Sequence, residues 1–390
     1  MSPAPALPPL ALYVHMPWCV RKCPYCDFNS HALREAAPDS TYIDALLADL
    51  DLELPDIGER RIETLFFGGG TPSLFAPHEI GRLLRGLRER VAFAADAEIT
   101  LEANPGTIER GHFAAYRDAG ITRVSLGAQS FSGQALEALG RIHSPDDTCA
   151  AVAELRSAGI DNFNLDLMYA LPGQDVCAAR ADVETAIGLG PAHVSYYHLT
   201  LEPGTVFHAR PPPLPDEDAA WDMQAAGQEL LAGAGYAQYE VSAYARPGAA
   251  CRHNLNYWSF GDYVGLGAGA HGKLSRALPA DVLRSAKPRQ PRSYQAALAL
   301  RERVIGERRV VPAEDLPFEF MLNALRLNAG FTAALFEAHT GLSVAVIASP
   351  LARAQAQGLL APLPGPAGAG WMPTPLGRRF LNDLQGLFLG

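Results

Sequence analysis

Along the first half of the chain, short β-branched and aromatic runs alternate with longer stretches of helical periodicity, the signature of a parallel sheet with crossover helices. Strands are expected at 12–15, 63–67, 98–102, 123–126, 162–168 and 193–199, and helices at 40–54, 78–91, 108–119, 134–139, 145–158 and 177–187. Gly120, Gly159 and Gly188 stand where helix C-caps would fall. Six such units suit an α/β fold, a partial (β/α)6 barrel over residues 1–210, with functional residues gathered where strands end.

A proline run at 211–215 breaks this texture. Residues 211–310 read as a barrel extension: a helix over 216–233, then strand-like QYEVSAYA and an aromatic, glycine-rich loop to Gly272. Residues 311–390 turn to short helices, and Leu376, Phe380, Leu381, Leu384 and Leu387 mark one helical face. This part is expected to be a small C-terminal helical domain, similar to a winged helix.

A net charge of −10, with 48% hydrophobic and 19% charged residues and a mean hydropathy near zero, describes a globular chain in aqueous solution. The acidic balance speaks against a broad nucleic-acid surface. The first twenty residues lack the basic start of a signal peptide and are interrupted by prolines, and no apolar run reaches the roughly 18 residues needed to span a bilayer. Six cysteines, three of them within eight positions, point to metal or redox chemistry in the cytoplasm rather than to a secreted disulfide framework.

Those three, Cys19, Cys23 and Cys26, form C-x3-C-x2-C in LYVHMPWCVRKCPYCDF, directly after the first expected strand. Thiolates of this kind hold iron-sulfur clusters, normally four at a time; three leave one iron open to another ligand, as catalytic metal sites do. Arg21 and Lys22 beside them would favour thiolate. A zinc site completed by His15 or His31 is the competing reading of the spacing. FFGGGTP at 66–72 ends the second strand in glycines that permit close backbone approach to a ligand. Glu102, Gln129, Arg141 and Asp166 lie at or just beyond strand ends, where a purely structural barrel has no need of them.

With Tyr25 before the last cysteine, the motif resembles the radical S-adenosylmethionine (radical SAM) superfamily. That resemblance implies a [4Fe-4S] cluster on Cys19, Cys23 and Cys26, whose open iron binds SAM. The order of Tyr13, Gly69, Gly70, Thr71, Glu102, Gln129, Arg141 and Asp166 resembles the SAM-contacting set of the oxygen-independent coproporphyrinogen III oxidase group. It implies Gly69 to Thr71 and Glu102 at the methionine end of SAM, with Gln129, Arg141 and Asp166 around its ribose and carboxylate. The oxidase of that group carries a fourth cysteine two residues after the third; here that position is Phe28.

A second class in the group, the heme chaperones, is similar at CRHNLNYW, 251–258. By that resemblance His253 is the heme-linked residue, with Tyr257 and Trp258 packing on the porphyrin and Cys251 a further ligand candidate. Taken alone, the segment also suits an aromatic loop closing the barrel bottom. Cys149 and Cys177 fall in helices and read as buried thiols. GLGAGAHG at 265–272 lacks the framing of a dinucleotide loop. The expected function is a heme chaperone delivering heme to client hemoproteins, with SAM-dependent decarboxylation of coproporphyrinogen III, in porphyrin biosynthesis, as the enzymatic alternative. A DNA-binding zinc regulator is a third reading. Homodimerisation, and peripheral membrane contact through clients, follow from the resemblance alone.

Overall fold

A computed structural model describes residues 7–33, 40–106, 111–277, 280–300, 306–365 and 370–389. All six expected strands are present: β1 (Leu10–Met16), β2 (Ile62–Gly69), β3 (Phe93–Ala103), β4 (Arg123–Gln129), β5 (Phe163–Tyr169) and β6 (His193–His198). They pair in parallel in chain order. Between them run α1 (Ser40–Ile57), α2 (Pro77–Arg88), α3 (Phe113–Ala119), α4 (Gly133–Ala138), α5 (Pro145–Ser157) and α6 (Val176–Gly188). Residues 107–110, the start of the expected third helix, lie outside the described residues.

Alternation along each strand builds the barrel. Leu12, Val14, Leu65, Leu101, Val124 and Leu165 are fully buried in the hydrophobic core. The intervening positions, among them Tyr13, Phe66, Glu102, Ser125 and Asp166, line interior cavities instead. Period-2 side-chain direction thus gives every strand an apolar face and a polar, ligand-accessible one.

Among the described residues the sheet has twelve strands, and the extension supplies six of them. The expected single strand in QYEVSAYA is a hairpin, β7 (Ala237–Glu240) and β8 (Ala243–Ala245), antiparallel on the β6 edge. The expected glycine-rich loop contains β9 (Asp262–Leu266), parallel to β1, followed by the antiparallel β10 (His271–Ala277), β11 (Ala280–Ala286) and β12 (Glu307–Val310). CRHNLNYW is a helix, α8 (Arg252–Trp258), following α7 (Glu217–Gly233). Gly188 ends α6 from inside the helix; the left-handed residue is Gly190.

The C-terminal part has its own core around Phe320, Phe331, Phe336 and Leu351. Its helices are joined by a three-stranded antiparallel sheet of 331–332, 360–362 and 370–373, which the sequence reading missed. The expected amphipathic face near the end is divided, because the chain bends at Phe380 between helices Pro375–Arg379 and Leu381–Gly386. Leu384 is buried, while Leu376 and Phe380 are exposed. Among the described residues no single helix is long and apolar enough to cross a membrane.

Candidate functional site

The three cysteines lie on a loop between β1 and α1. Trp18–Cys19 pairs with His31–Ala32, and Lys22 Nζ donates to the Phe28 and Ser30 carbonyls at 3.0 and 3.3 Å, holding the loop closed. All three thiols are free and half-buried, and all line a cavity of about 410 Å³. Burial pushes the Cys19 and Cys26 thiols up; the Lys22 charge offsets this only partly at Cys26, so the expected thiolate bias from neighbouring cations is outweighed in the ligand-free protein.

The GGGTP segment rests directly on this loop. Gly70 N–H donates to the Met16 carbonyl at 2.8 Å and Thr71 N–H to the Trp18 carbonyl at 2.7 Å. A Cβ on Gly70 would lie 2.4 Å from the Trp18 oxygen, and Gly69 has φ +112° with the His15 ring 2.5 Å from where its Cβ would be. Only glycine allows this approach.

The same cavity gathers Tyr25, Glu102, Gln129, Arg141 and Asp166. Arg141 is the link between its walls: its guanidinium donates to Asn104 Oδ1 at 2.6 Å and to the Gly127 carbonyl at 2.9 Å, and lies 3.8 Å from Cys23 Sγ. Asn104 in turn donates to Thr71 Oγ1 at 2.9 Å. Sequence reasoning missed Asn104, although it stands two positions after Glu102. Gln129 holds φ +67°, unusual for a residue with a Cβ, and accepts from the Tyr197 hydroxyl at 2.7 Å.

Glu102 accepts from the Gly69 N–H at 3.1 Å. Burial, reinforced by the neighbouring Asp166, pushes it up to about 8. Asp166 is also raised by burial and is braced by Asn164 and Ser125 at 2.8 and 3.1 Å. Burial thus favours the protonated form of both carboxyls, and an arriving cation would favour release of the proton.

Tyr13 stands apart from this group. Its hydroxyl meets His15 Nδ1 at 3.0 Å, and it borders two neighbouring cavities rather than the cysteine cavity. His15 Nε2 meets the Asn29 carbonyl at 2.9 Å, so neither ring nitrogen is offered to a zinc ion. Among the described residues no three His, Cys, Asp or Glu side chains converge as on a single ion. Three free thiols in the lining of one cavity are the donor type that iron-sulfur clusters take.

His253 is buried inside the barrel. Its Nδ1 meets Thr64 Oγ1 at 2.9 Å, its Nε2 meets the Tyr257 hydroxyl at 3.1 Å, and its ring stacks on Phe66. Burial, with the nearby Arg123 charge, pushes it down to about 3. Cys251 is also buried, 3.6 Å from Glu98 Oε1, and pushed up to about 11 by burial. Arg123, which the sequence reading passed over, is fully buried beside them. The reading of Cys149 and Cys177 as buried thiols is corrected: both are exposed, on the outer faces of α5 and α6.

Residues 13–186 match the radical SAM superfamily, and residues 311–380 match the HemN C-terminal domain. The chain is 49% identical over 383 residues to the heme chaperone HemW of Escherichia coli (strain K12), covering 98% of this chain and 99% of that one. It is 46% identical to the Haemophilus influenzae heme chaperone HemW, covering 99% of each. In fold it is similar to E. coli coproporphyrinogen III oxidase (HemN), described as a radical SAM enzyme, with a TM-score of 0.81 over 98% of this chain and 90% of that one, at 23% identity.

Proposed function

Because this chain belongs to the heme chaperone HemW family within the radical SAM superfamily, we propose that it binds heme and passes it to a client hemoprotein in the cytoplasm. The observation that carries this reading is the end-to-end match to proteins so named. The likeness to the oxidase concerns the fold, and Phe28 in place of a fourth cysteine weighs against porphyrinogen chemistry. Residues 1–210 form the barrel, 211–310 its extension and 311–390 the C-terminal domain in this proposal.

Cys19, Cys23 and Cys26 would hold a [4Fe-4S] cluster, and the glycines, Glu102, Gln129, Arg141 and Asp166 would hold SAM; when bound, the cluster supplies an electron source beside SAM. This chain's own residues prepare the site. Arg141 fixes the spacing between the cysteine loop and the β3 and β4 ends, and Glu102 offers a carboxyl to the amino group of SAM.

That last role gives a pH dependence. Glu102, with a pKa of about 8 in the ligand-free protein, must ionise to pair with an ammonium. SAM affinity is therefore expected to rise with pH toward about 8 as Glu102 ionises and to fall again as the ammonium of the ligand loses its proton. Glu102→Gln flattens this dependence and weakens binding; calorimetric titration of the reconstituted protein measures both, and an unchanged pH profile in the variant would remove Glu102 from the role. In the ligand-free protein the same shift means that stability is lost as pH rises from the ordinary carboxylate range to about 8.

The reading as a whole is tested by mixing heme-loaded protein with an apo-hemoprotein. Transfer should follow protein concentration and exceed that from free heme, while coproporphyrinogen III keeps its carboxyl groups in the presence of SAM and a reductant. Decarboxylation without transfer would favour the oxidase.

A further inference from the structure

We propose that heme is held in the second cavity, against the aromatic wall of α8 and β9, with His271 as its axial ligand and Arg289 meeting a carboxylate of the porphyrin. This inference rests on the chaperone reading and names the site at which that reading would operate. The cavity, about 760 Å³, lies between the cysteine loop, α8 and the β9–β11 strands. It shares Asp27, Phe28, Gly69 and Glu102 with the cysteine cavity, so an occupant would lie next to SAM and the cluster.

Its lining suits a flat apolar ring bearing acidic groups. Tyr257, Trp258, Phe260 and Tyr263 are all in the lining, with Tyr257 and Tyr263 braced edge-to-face at 4.5 Å. Phe28 stands on the rim with 57% of its surface exposed, a large apolar side chain awaiting a partner rather than serving a core. The residue that replaces a cysteine of the oxidase motif thus has a use of its own here.

Cations stand among these rings: Lys273 lies over the Phe260 ring at 3.9 Å, and Arg284 donates to the Tyr263 hydroxyl at 2.9 Å. Lys273, Arg284 and Lys287 are already paired with Asp262, Glu319, and Asp49 with Glu53, respectively. Arg289 is exposed on the lining and pairs with no carboxylate among the described residues. Its charge is available to an anionic ligand.

Choice of the imidazole follows from hydrogen bonding. A ligating histidine needs a free ring nitrogen facing the metal. His15 has both nitrogens engaged, and His253 is engaged at both and absent from this lining. His271 lines the cavity, is exposed, and has no hydrogen-bond partner among the described residues. His253 then acts as a positioning residue, fixing Tyr257 in the wall through the 3.1 Å contact to its hydroxyl.

The test titrates the cluster-loaded, full-length protein with ferric heme and, separately, with iron-free protoporphyrin IX, following absorbance. The parent protein should bind both, heme with the spectrum of an imidazole-ligated iron. His271→Ala should lose that spectrum and weaken heme binding about tenfold or more, with protoporphyrin IX binding unchanged. Arg289→Glu and Phe28→Ser should weaken both ligands. All three positions are exposed, so folding is spared, and unchanged thermal midpoints check this. Heme binding by His271→Ala with the parent's spectrum and affinity would overturn the inference and leave the chaperone reading standing. Absence of heme binding by the parent protein would overturn both.

Discussion

Cys23→Ala, reconstituted anaerobically with iron and sulfide, is expected to fall from about four irons per chain to near none. Its sulfur is one of only three offered by the cysteine loop, and it is the one beside Arg141 at 3.8 Å. No fourth cysteine lines that cavity among the described residues, so a lost thiolate has no local replacement. Cys149→Ala supplies the control, because that thiol is exposed on α5 outside the cavity. Its iron and sulfide content should equal the parent's. Full iron and sulfide in Cys23→Ala would remove the cysteine loop from the cluster role.

Lys287→Met is expected to destabilise the fold by about 3–5 kcal/mol, measured by denaturant unfolding of the cluster-free protein. The ammonium sits between Asp49 Oδ1 and Glu53 Oε1, each at 2.6 Å, where all three side chains are nearly inaccessible. Burial pulls Lys287 down, yet the two carboxylates outweigh it and hold the group above its ordinary pKa. Asp49 Oδ2 also accepts from the Tyr294 hydroxyl and the Gly267 N–H at 2.7 and 3.2 Å, joining α1 to the segment after β9. Removing the cation strands two acids in the interior. The triple change Lys287→Met, Asp49→Asn, Glu53→Gln should recover part of the loss; a cost under about 1 kcal/mol for Lys287→Met alone would show that water reaches the cluster of charges.

The difference between legible and hidden parts has a physical basis. β1 to β6 were readable because their core-facing positions carry Leu, Val, Ile and Phe, β-branched and large apolar residues that suit a pleated strand. β9 was not, since Gly265 and Gly267 disguise it as a loop. Gly265 is there because a Cβ would lie 2.0 Å from the His271 carbonyl oxygen, a constraint that exists only once β10 is in place. β10 and β11 carry Lys273, Arg276 and Arg284, whose charges are matched by Asp262, by Asp281 on the facing strand, and by Glu319, so their pattern reads as polar surface.

At the site, the cysteines and glycines announce themselves by spacing, and the carboxyls by their place at strand ends. Asn104 and Arg123 do not, because their partners come from segments distant in the chain. A signal for them was present: positions alternating with the apolar core residues, such as Arg123, Ser125 and Gly127, all face the interior cavities. Which way a helix presents its side chains was beyond the sequence. CRHNLNYW announced an aromatic segment, but only the packing of α8 against β2 puts His253 inward and Tyr257 and Trp258 toward the second cavity.

Equilibrium titration of the purified, cluster-loaded chain with heme, with the stoichiometry read at saturation, bears on the proposed function more closely than any other measurement. Saturable binding of about one heme per chain, retained through gel filtration, is the expected result. Binding that never saturates, or heme lost completely on the column, would contradict it and leave a radical SAM fold whose cargo is something else.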